Sequence, residues 1–286
     1  MTSYPAIPEY SSVRTVRVMK GVETVEDVVI AEEPLEIIIV TPDGETALAT
    51  TMRTPGHDVY LCLGYLISEG AKVLPESITR SNSCADDNNQ ICLYYSESPF
   101  PTERTHSRLG VQSSSCGLCG KTSLADLLKV TYPGRTIPTR QWQAEDLLAL
   151  SKGLAAQPLF QKTGGSHAVW LFNENNEIVA AFEDVGRHNA LDKMLGWATQ
   201  NSPENINNMT LVLSSRLSYE LIHKAALLGT WVVIALGAPS SLAVELANKL
   251  EITSLGFFKG ETYNLYSNRK AYFRPSRDNS PLRKIV

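Results

Sequence analysis

The fold is decided by Thr210-Leu-Val-Leu-Ser-Ser-Arg-Leu-Ser218 and by Trp231-Val-Val-Ile-Ala235, which follows it. Each contains a short apolar run of strand length, bounded by polar residues or glycine. Glu220, Leu221 and Ala225 lie between the two runs in a helix-like segment. Alternation of strands with helices predicts an α/β layer structure.

The same pattern continues on both sides of this stretch. Further strands are predicted in the second half at Ala168–Phe172, Ile178–Phe182 and Leu255–Phe258. The first half is instead strand-rich, with runs at Val13–Met19, Glu36–Val40 and Glu45–Thr50. Helices are predicted after Asp58, which serves as a cap, and at Ser123–Val130 and Gln141–Ala156. We therefore expect an α/β (α+β) chain with a smaller N-terminal domain, residues 1–135, and a second domain, residues 136–286.

The composition excludes several classes of protein. The chain has 286 residues, of which 43% are hydrophobic and 20% charged, and this is the composition of a globular protein. The net charge is −4 and the basic residues are scattered, which argues against a nucleic-acid partner. No secretory signal is visible, and no apolar run approaches the ~20 residues that span a bilayer. We expect a cytoplasmic protein without a membrane partner.

Five cysteines, an odd number, favour thiols over a disulfide framework. Cys62 and Cys92 lie in apolar runs and are predicted to be buried. Cys84 is ambiguous. The other two form the loop Cys116-Gly-Leu-Cys-Gly120.

This loop carries the residues best suited to reactive chemistry. Its glycines give the backbone freedom to present either sulfur. Lys121 supplies positive charge, and a capping pattern that begins at Ser123 predicts a helix start just downstream. Both features lower the pKa of a cysteine below the ~8.5 of a free thiol, because they stabilise the thiolate. Nucleophilic sulfur is therefore expected here.

Three other interpretations fit the loop less well. Two cysteines at this spacing are half of a zinc site, but the gap between Cys84 and Cys92 is not that of a zinc knuckle. Thioredoxin-like redox chemistry requires a preceding strand, and Ser113-Ser-Ser115 does not form one. Gly120-Lys-Thr122 resembles the end of a phosphate-binding loop, but the pattern requires glycine where Ser115 stands.

Polar clusters mark the strand ends of the second half. Glu183-Asp-Val-Gly-Arg-His-Asn-Ala-Leu-Asp-Lys193 follows a strand and begins a helix, with Arg187 and His188 as candidate ligand contacts. His188 also lies one helical turn from Asp192, so a purely structural contact is equally compatible with the pattern. His167 ends the glycine turn Thr163-Gly-Gly-Ser-His167 and is either a ligand contact or a core residue.

Two further junctions share one arrangement. Arg216 lies just before a predicted helix start, where backbone amides and a guanidinium form an anion site. Gly237-Ala-Pro-Ser-Ser241 repeats the arrangement after the next strand. Two such junctions at neighbouring strand ends predict a ligand crevice.

Taken together, these stretches resemble the FdhD family of formate dehydrogenase accessory sulfurtransferases, from about residue 30 to residue 267. The matching blocks occur in the family's order: Met52-Arg-Thr-Pro55, Gly64-Tyr-Leu-Ile-Ser-Glu-Gly70, Cys116-Gly-Leu-Cys-Gly120, Thr163-Gly-Gly-Ser-His167, Glu183–Lys193, Ser214-Ser-Arg-Leu-Ser218 and Ala238-Pro-Ser-Ser-Leu-Ala-Val-Glu245. The resemblance implies a carrier that takes persulfide sulfur from a cysteine desulfurase. It delivers this sulfur to the molybdenum bis(molybdopterin guanine dinucleotide) cofactor of a formate dehydrogenase.

The resemblance also implies roles for individual residues. Cys116 carries the persulfide and Cys119 is its partner. The guanine-nucleotide cofactor contacts lie in the matching segment Phe257, Phe258, Lys259, Gly260, Glu261 and Thr262, which is one residue shorter here. The second domain is expected to be a three-layer α/β structure similar to cytidine deaminases, without their zinc-binding pattern. A homodimer is also implied.

Two other functions are compatible with the sequence. The chain could be a chaperone that holds the cofactor and docks to the catalytic subunit of formate dehydrogenase, without sulfur transfer. It could also be a dithiol oxidoreductase. The sequence does not identify the desulfurase or the dehydrogenase, nor distinguish molybdenum from tungsten.

Overall fold

The computed structural model describes residues 12–71, 78–83, 89–96, 111–112, 135–154 and 157–275. Its strands are β1 Val13–Lys20, β2 Glu23–Ile30, β3 Glu33–Thr41, β4 Gly44–Arg53, β5 Ile78–Ser83, β6 Gln90–Tyr95, β7 Val111–Gln112, β8 Trp142–Gln143, β9 His167–Phe172, β10 Ile178–Asp184, β11 Thr210–Leu213, β12 Val232–Ala235, β13 Thr253–Lys259, β14 Thr262–Ser267 and β15 Phe273–Arg274. Its helices are α1 Asp58–Ser68, α2 Ala144–Gly153, α3 Pro158–Thr163, α4 Arg187–Asn201, α5 Tyr219–Leu228 and α6 Ser241–Lys249.

Two large sheets organise these elements. The first has the strand order β5-β6-β3-β4-β7, and β1 with β2 forms a separate antiparallel ribbon. The second has the order β10-β9-β11-β12-β13-β14. Its central strands β11, β12 and β13 are parallel, whereas β9, β10 and β14 each run antiparallel to a neighbour.

The second sheet is buried on both faces. Helices α4, α5 and α6 cover one face, and α2 with the short pair β8 and β15 covers the other. Strands between two helical layers are apolar throughout, as in β11, whose four residues are all buried. The α/β class and the strand-rich first half are therefore as the sequence predicts, and the three layers of the second half are as the family resemblance implies.

Helix α1 joins the two halves. One side packs on β3 and β6 of the first sheet through Leu61, Cys62 and Leu66. Its other side meets α4 at very close range: a Cβ added to Gly64 would lie 1.9 Å from the Asp192 carbonyl oxygen. Only glycine permits this approach of two helix backbones.

Two sequence predictions need correction. The helix predicted at Gln141–Ala156 begins only at Ala144, because Trp142 pairs with Phe273 of β15 and is buried. Asp58 does not cap α1. It is the first helical residue, and its carboxylate instead binds the guanidinium of Arg53 at 3.0 Å.

The predicted helix Ser123–Val130 lies outside the described residues, and the domain boundary near residue 135 stays a prediction. In the described ranges, no helix is long and apolar enough to cross a membrane.

Candidate functional site

The predicted site residues outside the cysteine loop gather at one edge of the second sheet. Strands β11, β12 and β13 are parallel, so their carboxyl ends lie at the same edge. The antiparallel neighbours bring the start of β9, the end of β10 and the start of β14 to that edge as well. Ligands of open α/β sheets bind outside the carboxyl ends of the strands. We call this the carboxyl edge; it carries His167, Arg187, His188, Arg216 and the β13–β14 turn.

The junction of β10 and α4 is first of all a structural connection. Asp184 is fully buried and accepts hydrogen bonds from the backbone amides of Thr54 and Gly186 at 3.1 and 2.8 Å. The ammonium of Lys193 lies 2.7 Å from the same carboxylate and donates to the Thr54 carbonyl at 3.0 Å. Asn189 donates to the Met52 carbonyl at 2.6 Å. These contacts attach the end of β4 and the segment that follows it to the second half.

Glu183 also has a structural role. Its carboxylate accepts the backbone amides of Leu159 and Phe160 at 3.0 and 2.9 Å, at the start of α3. The Ser166 hydroxyl donates to it at 2.6 Å. It therefore satisfies amides that a helix start leaves without partners.

The predicted contact between His188 and Asp192 is replaced by two separate pairs. Asp192 is buried and binds the ammonium of Lys224 and the hydroxyl of Ser68. Burial raises its pKa, and Lys224 opposes this rise. The His188 ring instead approaches Glu220 of α5, with 3.8 Å between Nε2 and Oε2. Asp192 is thus a core residue rather than surface support for His188.

Glu220 is the residue of this edge that sequence reasoning did not assign to the site. The neighbouring His188 imidazole lowers its pKa to about 2, so the carboxylate is ionised throughout the physiological range. The available signal was an acidic residue in the first turn of α5, beside the conspicuous Ser214–Ser218 segment. Its partner could not be identified because the two residues are distant in sequence.

His167 lies opposite Asp184 in the β9–β10 ladder. Burial lowers the pKa of its imidazole, and the positive charges of Arg187 and His188 lower it further, whereas Asp184 opposes them. The ring is therefore neutral near pH 7. The prediction left a ligand contact and a core residue open, and the partly exposed ring is compatible with the ligand contact.

The junction between β11 and α5 contacts the junction between β12 and α6. The Ala168 amide donates to the Ser214 hydroxyl at 2.8 Å, and the Leu217 amide donates to the Ala238 carbonyl at 3.0 Å. A Cβ on Gly237 would lie 3.0 Å from the Arg216 backbone, so the two loops touch there. The Arg216 side chain is exposed. The close approach of Gly237 therefore holds the backbone of Arg216, whose guanidinium is exposed to solvent.

The β13–β14 turn closes the edge. Phe257 has a φ of 53° and an exposed ring, and its amide donates to the Gly237 carbonyl at 3.1 Å. A left-handed backbone is unusual for a bulky residue and is typical of strained functional positions. Lys259, Glu261 and Thr262 are also exposed, and Gly260 turns the chain with a φ of 74°.

Phe258 differs from its neighbours. Its side chain is only 2% exposed and belongs to the apolar cluster on the opposite face, with Trp142 and Tyr263. Its ring therefore supports the hairpin and does not face a ligand at the carboxyl edge.

Cys116 and Cys119 lie outside the described residues; the nearest described residues are Gln112 before them and Arg135 after them. Gln112 pairs with Thr51 of β4, and the Thr51 hydroxyl donates to the Asn189 side chain at 3.3 Å. Further along, the Arg135 guanidinium stacks over Trp231, 3.7 Å from its centroid. The last described residues before the cysteines thus pair with the strand that contacts the first turn of α4.

The other described cysteines differ in state. Cys62 is free and fully buried, and burial raises the pKa of its thiol well above the usual value. Cys92 is buried as predicted, but it is disulfide-bonded, which corrects the expectation of a free thiol there. Among the described residues, no group of His, Cys, Asp or Glu side chains is arranged to hold a metal ion.

Comparison with known proteins gives one consistent result. The sequence profile of the FdhD/NarQ family matches residues 30–272. Proteins named Sulfur carrier protein FdhD are similar along most of their length. The relative from Nocardia farcinica is 38% identical, covering 85% of this chain and 87% of its own. The relative from Streptomyces coelicolor is 40% identical, covering 89% and 92%.

A solved structure shares the fold. The crystal structure of a protein from Desulfotalea psychrophila, described as a formate dehydrogenase accessory protein, matches with a TM-score of 0.67. It covers 91% of this chain and 97% of its own at 20% sequence identity.

Proposed function

This chain belongs to the FdhD/NarQ family, and from that premise we propose that it is a sulfur carrier. It accepts sulfur from a cysteine desulfurase on Cys116. It delivers this sulfur to the molybdenum bis(molybdopterin guanine dinucleotide) cofactor, which serves a formate dehydrogenase. The names of the relatives support the carrier role, and the convergence of cationic and aromatic residues at the carboxyl edge supports an anionic nucleotide acceptor there.

The observation that carries the proposal is the position of the chain just before the cysteines. Gln112 lies beside Thr51, which contacts Asn189 in the first turn of α4. An extended chain spans at most ~3.6 Å per residue, so the α-carbon of Cys116 lies within about 14 Å of that of Gln112. We propose that a loop starting from this point brings the sulfur of Cys116 to an acceptor bound at the carboxyl edge.

The transfer steps balance without an outside oxidant. The Cys116 thiolate attacks the terminal sulfur of the desulfurase persulfide, a sulfur–sulfur bond breaks, and the desulfurase thiolate leaves. Delivery as sulfide requires two electrons. The Cys119 thiolate supplies them if it attacks the Cys116 sulfur, forms a disulfide and releases hydrosulfide. Cys119 could also hold the sulfur in relay.

Mass spectrometry after incubation with a cysteine desulfurase and cysteine tests the proposal. We expect a gain of one or more sulfur atoms that a reducing agent reverses and that Cys116→Ala abolishes. Cys62→Ala is the matched control, because this thiol is buried, and it should load normally. Loading that survives Cys116→Ala would contradict the proposal.

The second candidate function is that of a cofactor-binding chaperone, because cofactor binding by the residues of the carboxyl edge would not require the cysteines. It predicts that cells with the Cys116→Ala and Cys119→Ala double variant still make active formate dehydrogenase. A dithiol oxidoreductase predicts turnover with a protein disulfide in a cofactor-free assay. The homodimer and the cytoplasmic location stay predictions.

A further inference from the structure

A buried side-chain amide joins the two halves of the chain at the end of β4. Asn189, in the first turn of α4, is 7% exposed. Its Oδ1 accepts the Thr51 hydroxyl at 3.3 Å, and its Nδ2 donates to the Met52 carbonyl at 2.6 Å. The same Nδ2 donates to the Asp184 carboxylate at 3.3 Å. The oxygen and both hydrogens of the amide therefore have partners.

Two of these partners lie on the strand that holds β7. Strand β7 is at the edge of the first sheet, and β4 is its neighbour in the strand order. Thr50 pairs with Val111, and Thr51 pairs with Gln112. The position of β7 relative to the second half therefore depends on how the end of β4 is attached.

The attachment point is itself held by several contacts. Asp184 accepts the Gly186 amide at 2.8 Å and is paired with Lys193 at 2.7 Å. A Cβ on Gly186 would lie 3.2 Å from the Asn189 Nδ2, so the amide packs directly against the junction of β10 and α4. Contacts thus lead from β7 through Thr51 and Asn189 to the carboxyl edge.

The hydroxyl of Thr51 is in an apolar setting. The residue is 8% exposed and pairs with Leu35, which is buried in the apolar cluster between the first sheet and α1. Valine has nearly the same shape, is favoured in strands and would bury no hydroxyl. A hydrogen bond has a defined direction, whereas apolar packing is non-directional. Threonine therefore fixes the orientation of β4 on α4, where valine would only fill the space.

We propose that Thr51 and Asn189 are positioning residues for sulfur transfer. Their hydrogen bond fixes β7, the last described strand before Cys116, relative to the carboxyl edge. The inference rests on the proposed function, because it concerns how the sulfur of Cys116 is brought to its acceptor. Loading by the desulfurase precedes delivery and uses a partner outside the chain, so it does not depend on this bond.

Hydrogen–deuterium exchange of the full chain, measured by mass spectrometry, tests the position of β7 directly. Thr51→Val should raise the exchange rate of a peptide that contains Val111 and Gln112 by about three- to tenfold, because loss of the hydrogen bond releases the strand. Thr51→Ser keeps the hydroxyl and should retain the wild-type rate. Thr50→Val is the matched control, because adjacent residues of a strand face opposite sides of the sheet. The amides of β11 are the internal reference, since exchange in a buried strand reports global unfolding.

The second measurement follows the persulfide of Cys116 by mass. The wild type, Thr51→Val and Thr51→Ser should load at the same rate with a cysteine desulfurase and cysteine. After removal of the desulfurase, excess molybdenum bis(molybdopterin guanine dinucleotide) is added and the loss of the persulfide is timed. Thr51→Val should unload about three- to tenfold more slowly than the wild type. Thr51→Ser should unload as the wild type does.

A double variant tests whether the two side chains act through one bond. Thr51→Val combined with Asn189→Ala should unload no more slowly than Asn189→Ala alone, because both changes remove the same hydrogen bond. Additive effects would contradict a shared role.

Other outcomes would overturn the inference. These are wild-type exchange of β7 in Thr51→Val, or loading and unloading that slow together, which is the result for a purely structural side chain. A wild type that does not load would contradict the sulfur carrier instead. The exchange measurement involves no sulfur chemistry, so failure of the carrier and failure of the positioning bond are distinguishable.

Discussion

The Lys193 ammonium lies 2.7 Å from the Asp184 carboxylate, and their side chains are 1% and 0% exposed. Asp184 ends β10, and Lys193 lies in α4, so the pair fixes the junction that presents Arg187 and His188. Both partners also bind the backbone of Thr54. In the Glu183–Lys193 block, the side chains that stabilise the fold are therefore different from those that are candidate ligand contacts.

Lys193→Met should lower the free energy of unfolding by about 3–5 kcal/mol, because it leaves Asp184 charged and buried without its partner. Urea unfolding followed by circular dichroism measures the change. The control is Lys270→Met, which removes an ion pair with Glu251 whose side chains are 51% and 40% exposed. The control should change stability by less than about 1 kcal/mol. Equal effects would show that the buried pair contributes no more than a surface pair.

Gly196→Ala should destabilise the protein although alanine favours helices. A Cβ at this position would lie 1.9 Å from the Tyr60 carbonyl oxygen, so α1 and α4 must separate. Overpacking of this kind costs about 1–3 kcal/mol or more. Thermal unfolding measures the loss. Gln200→Ala, on the exposed side of the same helix, is the control and should be nearly neutral; a neutral Gly196→Ala would show that the helices are not in backbone contact.

The order of strands and helices in the second half could be predicted because hydrophobic runs are local. The predicted Thr210–Leu213 strand has the observed bounds, and Ile178–Phe182 is short by two residues. Those two residues, Glu183 and Asp184, pair with Ala168 and His167 of β9. Polar residues at a strand end interrupt the hydrophobic pattern. That pattern reflects side-chain burial, so it does not indicate that the backbone of these residues is paired.

The sequence predicted which strand–helix junctions form the site. It did not predict which residues there stabilise the fold and which are candidate ligand contacts. Sequence indicated that the Glu183–Lys193 block was dense in polar groups. It could not show that Asp184 and Asn189 bind the segment before α1, because those partners are more than a hundred positions away. For the same reason Glu220 was not connected with His188.

Cys62 should remain unmodified by N-ethylmaleimide in the native protein at about pH 7.5. The thiol is fully buried, and burial raises its pKa, so both access and thiolate formation are suppressed. Peptide mass mapping before and after unfolding in urea measures the labelling. Labelling only after unfolding is the expected result. Rapid native labelling would mean that α1 opens from the first sheet.

Glu220 should contribute stability that is lost in acid. The pKa of its carboxyl is lowered from 4.5 to about 2 by the neighbouring His188. A carboxyl with a lowered pKa in the folded state stabilises the fold above its unfolded value, and this contribution disappears as the pH falls toward the folded value. The relevant window is therefore from about pH 4.5 down to about pH 2. Because Glu220 is only half-buried, solvent screening limits the effect to about 0.5–1 kcal/mol.

The measurement is the urea midpoint of the wild type and of Glu220→Gln at several pH values in that window. We expect the wild type to be the more stable at about pH 5, with a difference that shrinks as the pH falls. Glu245→Gln, on the exposed side of α6, is the matched control and should show no such trend. A difference that stays constant down to about pH 2.5 would mean that Glu220 acts through packing, and the charged contact with His188 would then be contradicted.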